Sequence, residues 1–265
     1  MVLERIVGMS LLKKQPDVAL FLGFIFTLIA FLTSYMIFVS GMSVAMIGFA
    51  SLLMLPYINK IMKPESPEYR SVFHKENTSI KFFAWLFFGM ALAYTILFGI
   101  LRPDVRDIAF RTQINIVEGQ VGLSGGMFGL PIFFYEIVSN NLIIVAIAII
   151  LSFFYGAGSV FVLNYNASIA GIVYGSWLSG LIWPNPSAWG ASEIALLYQS
   201  PVLFLPHTIL EILAYLLAAI AGLIISKPLT NRNHKLVERD TILLLVAAVV
   251  LIIAGGLVEI TVPFL

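Results

Sequence analysis

Seven windows of about 20 mostly apolar residues recur along this chain of 265, each long enough to cross a lipid bilayer. They fall at 18–39, 42–62, 80–101, 142–163, 167–183, 201–226 and 241–262; the fifth is the shortest, and Pro56 interrupts the second. Hydrocarbon offers no water to the peptide groups, so such windows must bond their own backbone as helices. The balance of the chain agrees, with 60% hydrophobic and 11% charged residues, against roughly 25% charged in soluble domains. The connections are too short to bury a core of their own. The expected fold is therefore all-α: one integral membrane domain, 1–265, with about seven transmembrane helices.

Cysteine is absent, which removes disulfides, thiolate metal sites and a cysteine nucleophile. The opening residues "MVLERIVGMSLLKKQPD" place Val2, Leu3, Ile6, Val7 and Leu11 at helical spacing among Glu4, Arg5, Lys13 and Lys14. That pattern predicts an amphipathic helix over 1–17 lying in the membrane interface, not a cleavable signal. Basic residues set the orientation. Arg5, Lys13 and Lys14 precede the first span; Lys60, Lys63, Arg70, Lys75 and Lys81 surround the second connection; Lys227, Arg232, Lys235 and Arg239 fill the sixth. With seven spans these 12 of the 15 basic residues share one side, and only Arg102, Arg106 and Arg111 face the other. The N-terminus is expected in the cytoplasm and the C-terminus outside, in a multi-pass protein of the cell membrane.

The first two spans are joined by "SGMS", read as a tight outer hairpin. The longest connection, 102–140, is expected outside, with possible surface or re-entrant helices. It comprises a helix beginning at Pro103, a flexible stretch "GQVGLSGGMFG", and "LPIFFYEIVSNN" resting in the interface or dipping into it. No repeat or phosphate-binding glycine loop is visible, and a net charge of +1 argues against nucleic acid as a partner.

Polar residues inside the spans carry the functional question. His207 and Glu211 lie one helical turn apart, and Ala214, Ala218, Gly222 and Ser226 continue from them in fours as a small-residue seam on the same face. Small residues at that spacing let helix backbones approach closely in lipid, so the polar pair points into the protein. Glu259 follows Gly255 by four residues in the last span, and Ala167, Gly171, Gly175 and Ser179 repeat the small-residue spacing in the fifth. Under the expected orientation His207, Glu211 and Glu259 all lie in the outer half, where they can form one polar cluster. A carboxylate in hydrocarbon costs about 2.5–3.5 kcal/mol on insertion scales, so each needs relief. That relief is His207 bonded to Glu211 or Glu259, or one carboxyl carried as the neutral acid. Four uses remain open: a clasp between helices, a proton or ion path, metal-assisted hydrolysis, and partner binding. The metal reading lacks the second histidine of a helical H-E-x-x-H site. No metal, no cofactor and no catalytic residue is expected. Asn141 and Asn166 are expected at helix junctions, Asn141 opening the fourth span and Asn166 in the turn before the fifth.

Three stretches together resemble the stage II sporulation protein M family of integral membrane proteins. "PHTILEILAYLLAAIAGL" resembles its proline–histidine–glycine and glutamate segment. "VSNNLIIVAIAIILSFFYGAGSVFVLNYNASIAGIVYG" resembles its central segment, and "LLLVAAVVLIIAGGLVEITVPFL" its closing helix. Order and spacing agree from 138 to 265, and the match points to Asn141, Asn166, Gly171, His207, Glu211 and Glu259. Thr208, Leu213 and Ala167 depart from it, standing where the family has glycine, proline and glycine. The resemblance implies a non-enzymatic scaffold in a cell-envelope or membrane-remodelling complex, with other membrane or envelope proteins and the bilayer as partners; the small-residue seams leave a homo-oligomer open. The alternative is a proton- or ion-coupled transporter using His207, Glu211 and Glu259 as relay groups. Packing through Gly171, Gly175, Ala214, Ala218 and Gly222 is expected to hold spans four to seven together.

Overall fold

A computed structural model describes residues 15–38, 40–61, 77–124, 130–155, 159–182, 201–226 and 234–261. These residues form nine α-helices and no strand: α1 Val18–Ile37, α2 Met42–Ile61, α3 Asn77–Ile100, α4 Pro103–Ala109, α5 Arg111–Ser124, α6 Leu130–Tyr155, α7 Ser159–Ile182, α8 Pro201–Ser226 and α9 His234–Thr261. The expected interfacial helix over 1–17 falls almost wholly outside the described residues.

Six helices, α1, α2, α3, α6, α8 and α9, are long and apolar enough to cross a membrane. The chain is a multi-pass membrane protein. The remaining long helix, α7, has 24 residues but a more polar composition, because Asn164, Ser168, Ser176 and Ser179 are turned into the bundle and buried. It runs parallel to α3: Gly171 lies against Tyr94, Gly175 against Phe98, and Leu178 against Gly99. The structure thus gives six spans by length and composition among the described residues, against the seven expected, with α7 packed along one of them.

Two sub-bundles emerge from the packing. In the first, α3 is flanked by α1 and α7, with α2 against α1 and α7. In the second, α8 is flanked by α6 and α9, and α6 also touches α9. Leu216, Ile220, Ala221 and Ile224 of α8 join the apolar core of the first sub-bundle, while Ala214, Tyr215 and Ala218 belong to that of the second. Close approach of α7 to α3 requires glycine. A Cβ on Gly175 would stand 2.7 Å from Phe98 Cβ, and one on Gly171 would collide with Tyr94. Gly41 adopts φ +76°, a left-handed conformation that closes the α1–α2 hairpin at little steric cost.

Several boundaries differ from the hydropathy reading. The fourth and fifth windows, 142–163 and 167–183, become Leu130–Tyr155 and Ser159–Ile182. "LPIFFYEIVSNN" is thus the first half of α6 and not an interfacial prelude. Asn141 and Asn166 sit inside helices, and the junction expectation for both is corrected. A helix interior tolerates an amide that finds a partner, and Asn166 finds one in the Val162 carbonyl of its own helix, 2.8 Å away. Likewise α8 runs continuously through Pro206 from Pro201, and α5 extends through Ser124 into the stretch read as flexible; 125–129 lie outside the described residues. Gly171 and Gly175 seat α7 on α3, outside the four-to-seven grouping expected for them.

The connection after α3 does not stay on the surface. Pro103 begins α4, preceded by Arg102 in the extended conformation that a following proline favours. Arg106 is fully buried and donates from Nη1 to Ser179 Oγ at 3.0 Å, near the end of α7. Gln113, also buried, donates to Ser168 Oγ at 3.3 Å. Ser179 and Ser168 are eleven residues apart, about 16 Å along α7 at 1.5 Å per residue. The α4–α5 segment therefore runs beside α7 toward the middle of the bundle.

Candidate functional site

The polar cluster is built where α6, α8 and α9 converge, at the end of the bundle where α6 and α8 begin and α9 finishes. On α8, His207, Glu211 and Tyr215 follow one another at four-residue spacing, so all three project from one face. Asn141 on α6 stands opposite, within a buried stripe of Asn141, Val145, Ala148 and Ser152. Its amide nitrogen donates to Glu211 Oε1 at 2.7 Å, and its carbonyl oxygen accepts a short hydrogen bond from the Tyr215 hydroxyl. One asparagine thus binds two side chains of α8 through both ends of its amide. The chain Tyr215–Asn141–Glu211 has a fixed direction, with the hydroxyl as donor and the carboxyl oxygen as final acceptor.

From the third side, α9 contributes Gly255 and Glu259. A Cβ placed on Gly255 would lie 3.4 Å from Glu211 Cγ and 3.6 Å from the His207 carbonyl oxygen, so α9 rests directly on the polar turn of α8. Glu259, one turn further along α9, is half-buried on the same side of the helix. His207 is buried beside them. Gly222 supports the same junction lower down, since a Cβ there would be 2.6 Å from Ser152 Cβ on α6. Ala214 and Ala218 are buried in the core shared by α6, α8 and α9.

The three residues singled out from the sequence, His207, Glu211 and Glu259, lie together. Asn141 joins them, although it was assigned to a helix end, and Asn166 stays apart on α7. Tyr215 was overlooked, yet its signal was present: it continues the 207–211 spacing by one more turn. Asn141 carried no such signal, because which of α6's faces meets α8 is not a property of α6 alone.

A second polar network occupies the other sub-bundle. Tyr94 on α3 donates to Asn164 Oδ1 at 2.9 Å, and Asn164 Nδ2 reaches the Ile47 carbonyl at 2.9 Å and Ser51 Oγ at 3.2 Å on α2. Near it, the Arg106 guanidinium lies 5.0 Å from the centre of the Phe98 ring and 3.4 Å from Asp107. None of these residues was singled out as a site from the sequence.

The family model of stage II sporulation protein M matches residues 78–262, well over half of the chain. The chain belongs to the stage II sporulation protein M family. The match takes in α3 to α9 and so reaches further toward the N-terminus than the motifs visible by eye, which began at 138. Both polar networks draw residues from the matched part, but α1 and α2, with Ile47 and Ser51, lie outside it. No curated protein and no solved structure matches the chain.

Proposed function

We propose that this family member is a non-enzymatic scaffold that holds together a cell-envelope or membrane-remodelling complex, with no chemistry of its own. The observation that supports this reading is Asn141, whose amide is engaged at both ends by Glu211 and Tyr215. A relay that passes ions must exchange partners, whereas this amide locks α6 to α8 and leaves α9 seated on Gly255. In hydrocarbon such interhelical hydrogen bonds each contribute about 0.6 kcal/mol on average and up to about 1.7. The cluster then acts as a clasp that keeps three helices in one arrangement for partners to recognise. Basic-residue placement supports an N-terminus in the cytoplasm and a C-terminus outside, which puts the clasp in the outer leaflet. From there the helix arrangement that it fixes is presented to envelope proteins.

The test is affinity capture from native membranes in mild detergent with quantitative mass spectrometry, using the wild type and Glu211→Gln. A stoichiometric envelope protein recovered with the wild type and lost in the variant is the expected result. Recovery of the protein alone, together with a pH-dependent flux in proteoliposomes that Glu211→Gln abolishes, would replace the scaffold with a transporter using His207, Glu211 and Glu259 as relay groups.

A further inference from the structure

The helix α6 carries two stripes of nearly identical spacing on opposite faces. The inward stripe is Asn141, Val145, Ala148 and Ser152, all buried. The outward stripe is Asn140, Ile143, Ile147 and Ile150, all exposed. Its steps of three, four and three residues are those of a coiled-coil seam, with isoleucine at the repeating positions and one asparagine among them. Among the candidate spans α6 is also the least covered, with 22% of its apolar stretch buried inside the protein.

Exposed isoleucine needs no explanation in lipid, which is as apolar as the side chain. Asn140 does. It lies six residues inside the apolar stretch Phe134–Ser152, about 9 Å from its start. Neither the donor nor the acceptor of its amide can find a partner among acyl chains, and an unpaired buried amide costs about 2 kcal/mol or more. Its neighbour Asn141 meets the same demand inside the protein, through Glu211 and Tyr215.

We infer that the outward stripe of α6 is a homodimer interface, in which Asn140 pairs with Asn140 of a second copy across a two-fold axis normal to the membrane. A second copy fits because an amide is self-complementary: each side chain supplies one donor and one acceptor, and a two-fold axis brings equal depths together. Copies sharing one membrane orientation set α6 parallel to α6, the arrangement that a 3–4 spacing favours and in which a single asparagine fixes register. Glu136, one turn nearer the helix start, is only two residues inside the apolar stretch, where water reaches the two carboxylates and screens them. The interface stands whether the protein is a scaffold or a transporter.

The absence of cysteine makes the test direct. Single substitutions Ile143→Cys and Ile147→Cys on the seam, and Val250→Cys on the exposed face of α9, are reconstituted at low density in phosphatidylcholine vesicles and mildly oxidised. Disulfide-linked dimers are expected for 143 and 147 and not for 250. Adding Asn140→Leu to Ile143→Cys is expected to weaken dimerisation about tenfold, equivalent to roughly 1.4 kcal/mol, with the melting temperature unchanged. Three results would each overturn the inference: no dimer at 143, equal cross-linking at 250, or cross-linking at 143 undiminished by Asn140→Leu.

Discussion

In the α1–α2–α3–α7 sub-bundle, the buried polar groups are amides, hydroxyls and one guanidinium. Asn164 binds α2 and α3 at once, and Arg106 is sandwiched between Ser179 and Phe98. In the α6–α8–α9 sub-bundle the polar groups include three carboxyls, Glu211 and Glu259 at the polar turn and the fully buried Asp240 of α9, with one amide between α6 and α8. Close approach occurs in both: a Cβ at Gly171 or Gly175 has no room on the α3–α7 contact, nor one at Gly222 on the α6–α8 contact, whereas one at Gly255, between α8 and α9, would sit at ordinary contact distance. The first half is held around amides, hydroxyls and a buried guanidinium; in the second, the α8–α9 contact beside the carboxyls is looser than the α3–α7 contact. A membrane protein that needs a fixed frame and an adjustable element can separate them this way, because packing rigidity and ionisable groups make opposite demands on space and solvation.

The sharpest test of that contrast is a pair of glycine substitutions. Gly171→Val should cost about 3 kcal/mol or more, seen as failure to fold or a large fall in melting temperature in detergent. Gly255→Ala should stay within about 0.5 kcal/mol. Equal effects would erase the distinction between the halves. Next come the two asparagines. Asn164→Leu strands Tyr94, Ser51 and the Ile47 carbonyl, and should lower stability by about 2 kcal/mol. Asn141→Leu strands Glu211 and Tyr215 beside the looser α8–α9 contact, and about 1 kcal/mol is expected from denaturant titration in micelles. A larger loss at Asn141 would mean that the clasp, and not the α3–α7 frame, dominates stability. The smallest effect belongs to Glu211→Gln. The amide keeps an oxygen to accept from Asn141, so the melting temperature should move little while partner recovery falls. A drop as large as that of Asn141→Leu would show that the clasp needs the carboxyl itself.

Sequence reading located His207, Glu211 and Glu259 because ionisable residues are costly in lipid and therefore conspicuous. It located the helices for a similar reason: the bilayer fixes how long an apolar run must be. It misplaced the limits of α6 and α7, since Asn141, Asn164 and Asn166 lower local hydropathy and look like breaks. Within a helix whose backbone bonds itself, an amide that finds a partner breaks nothing. The burial of the α4–α5 segment was not foreseen, because Arg106 and Gln113 look like surface residues until Ser179 and Ser168 receive them.

What the sequence determined alone is what one helix in lipid can determine: the apolar spans and the small-residue faces. Each follows from the transfer of a side chain or a peptide group out of water, and needs no neighbour. Tertiary structure decided which faces meet. It put Asn141 on Glu211 and Tyr215 and turned Asn140 outward, although the two are adjacent and chemically identical. A step of about 100° around the helix separates them, and only the positions of α8 and α9 say which side is inside.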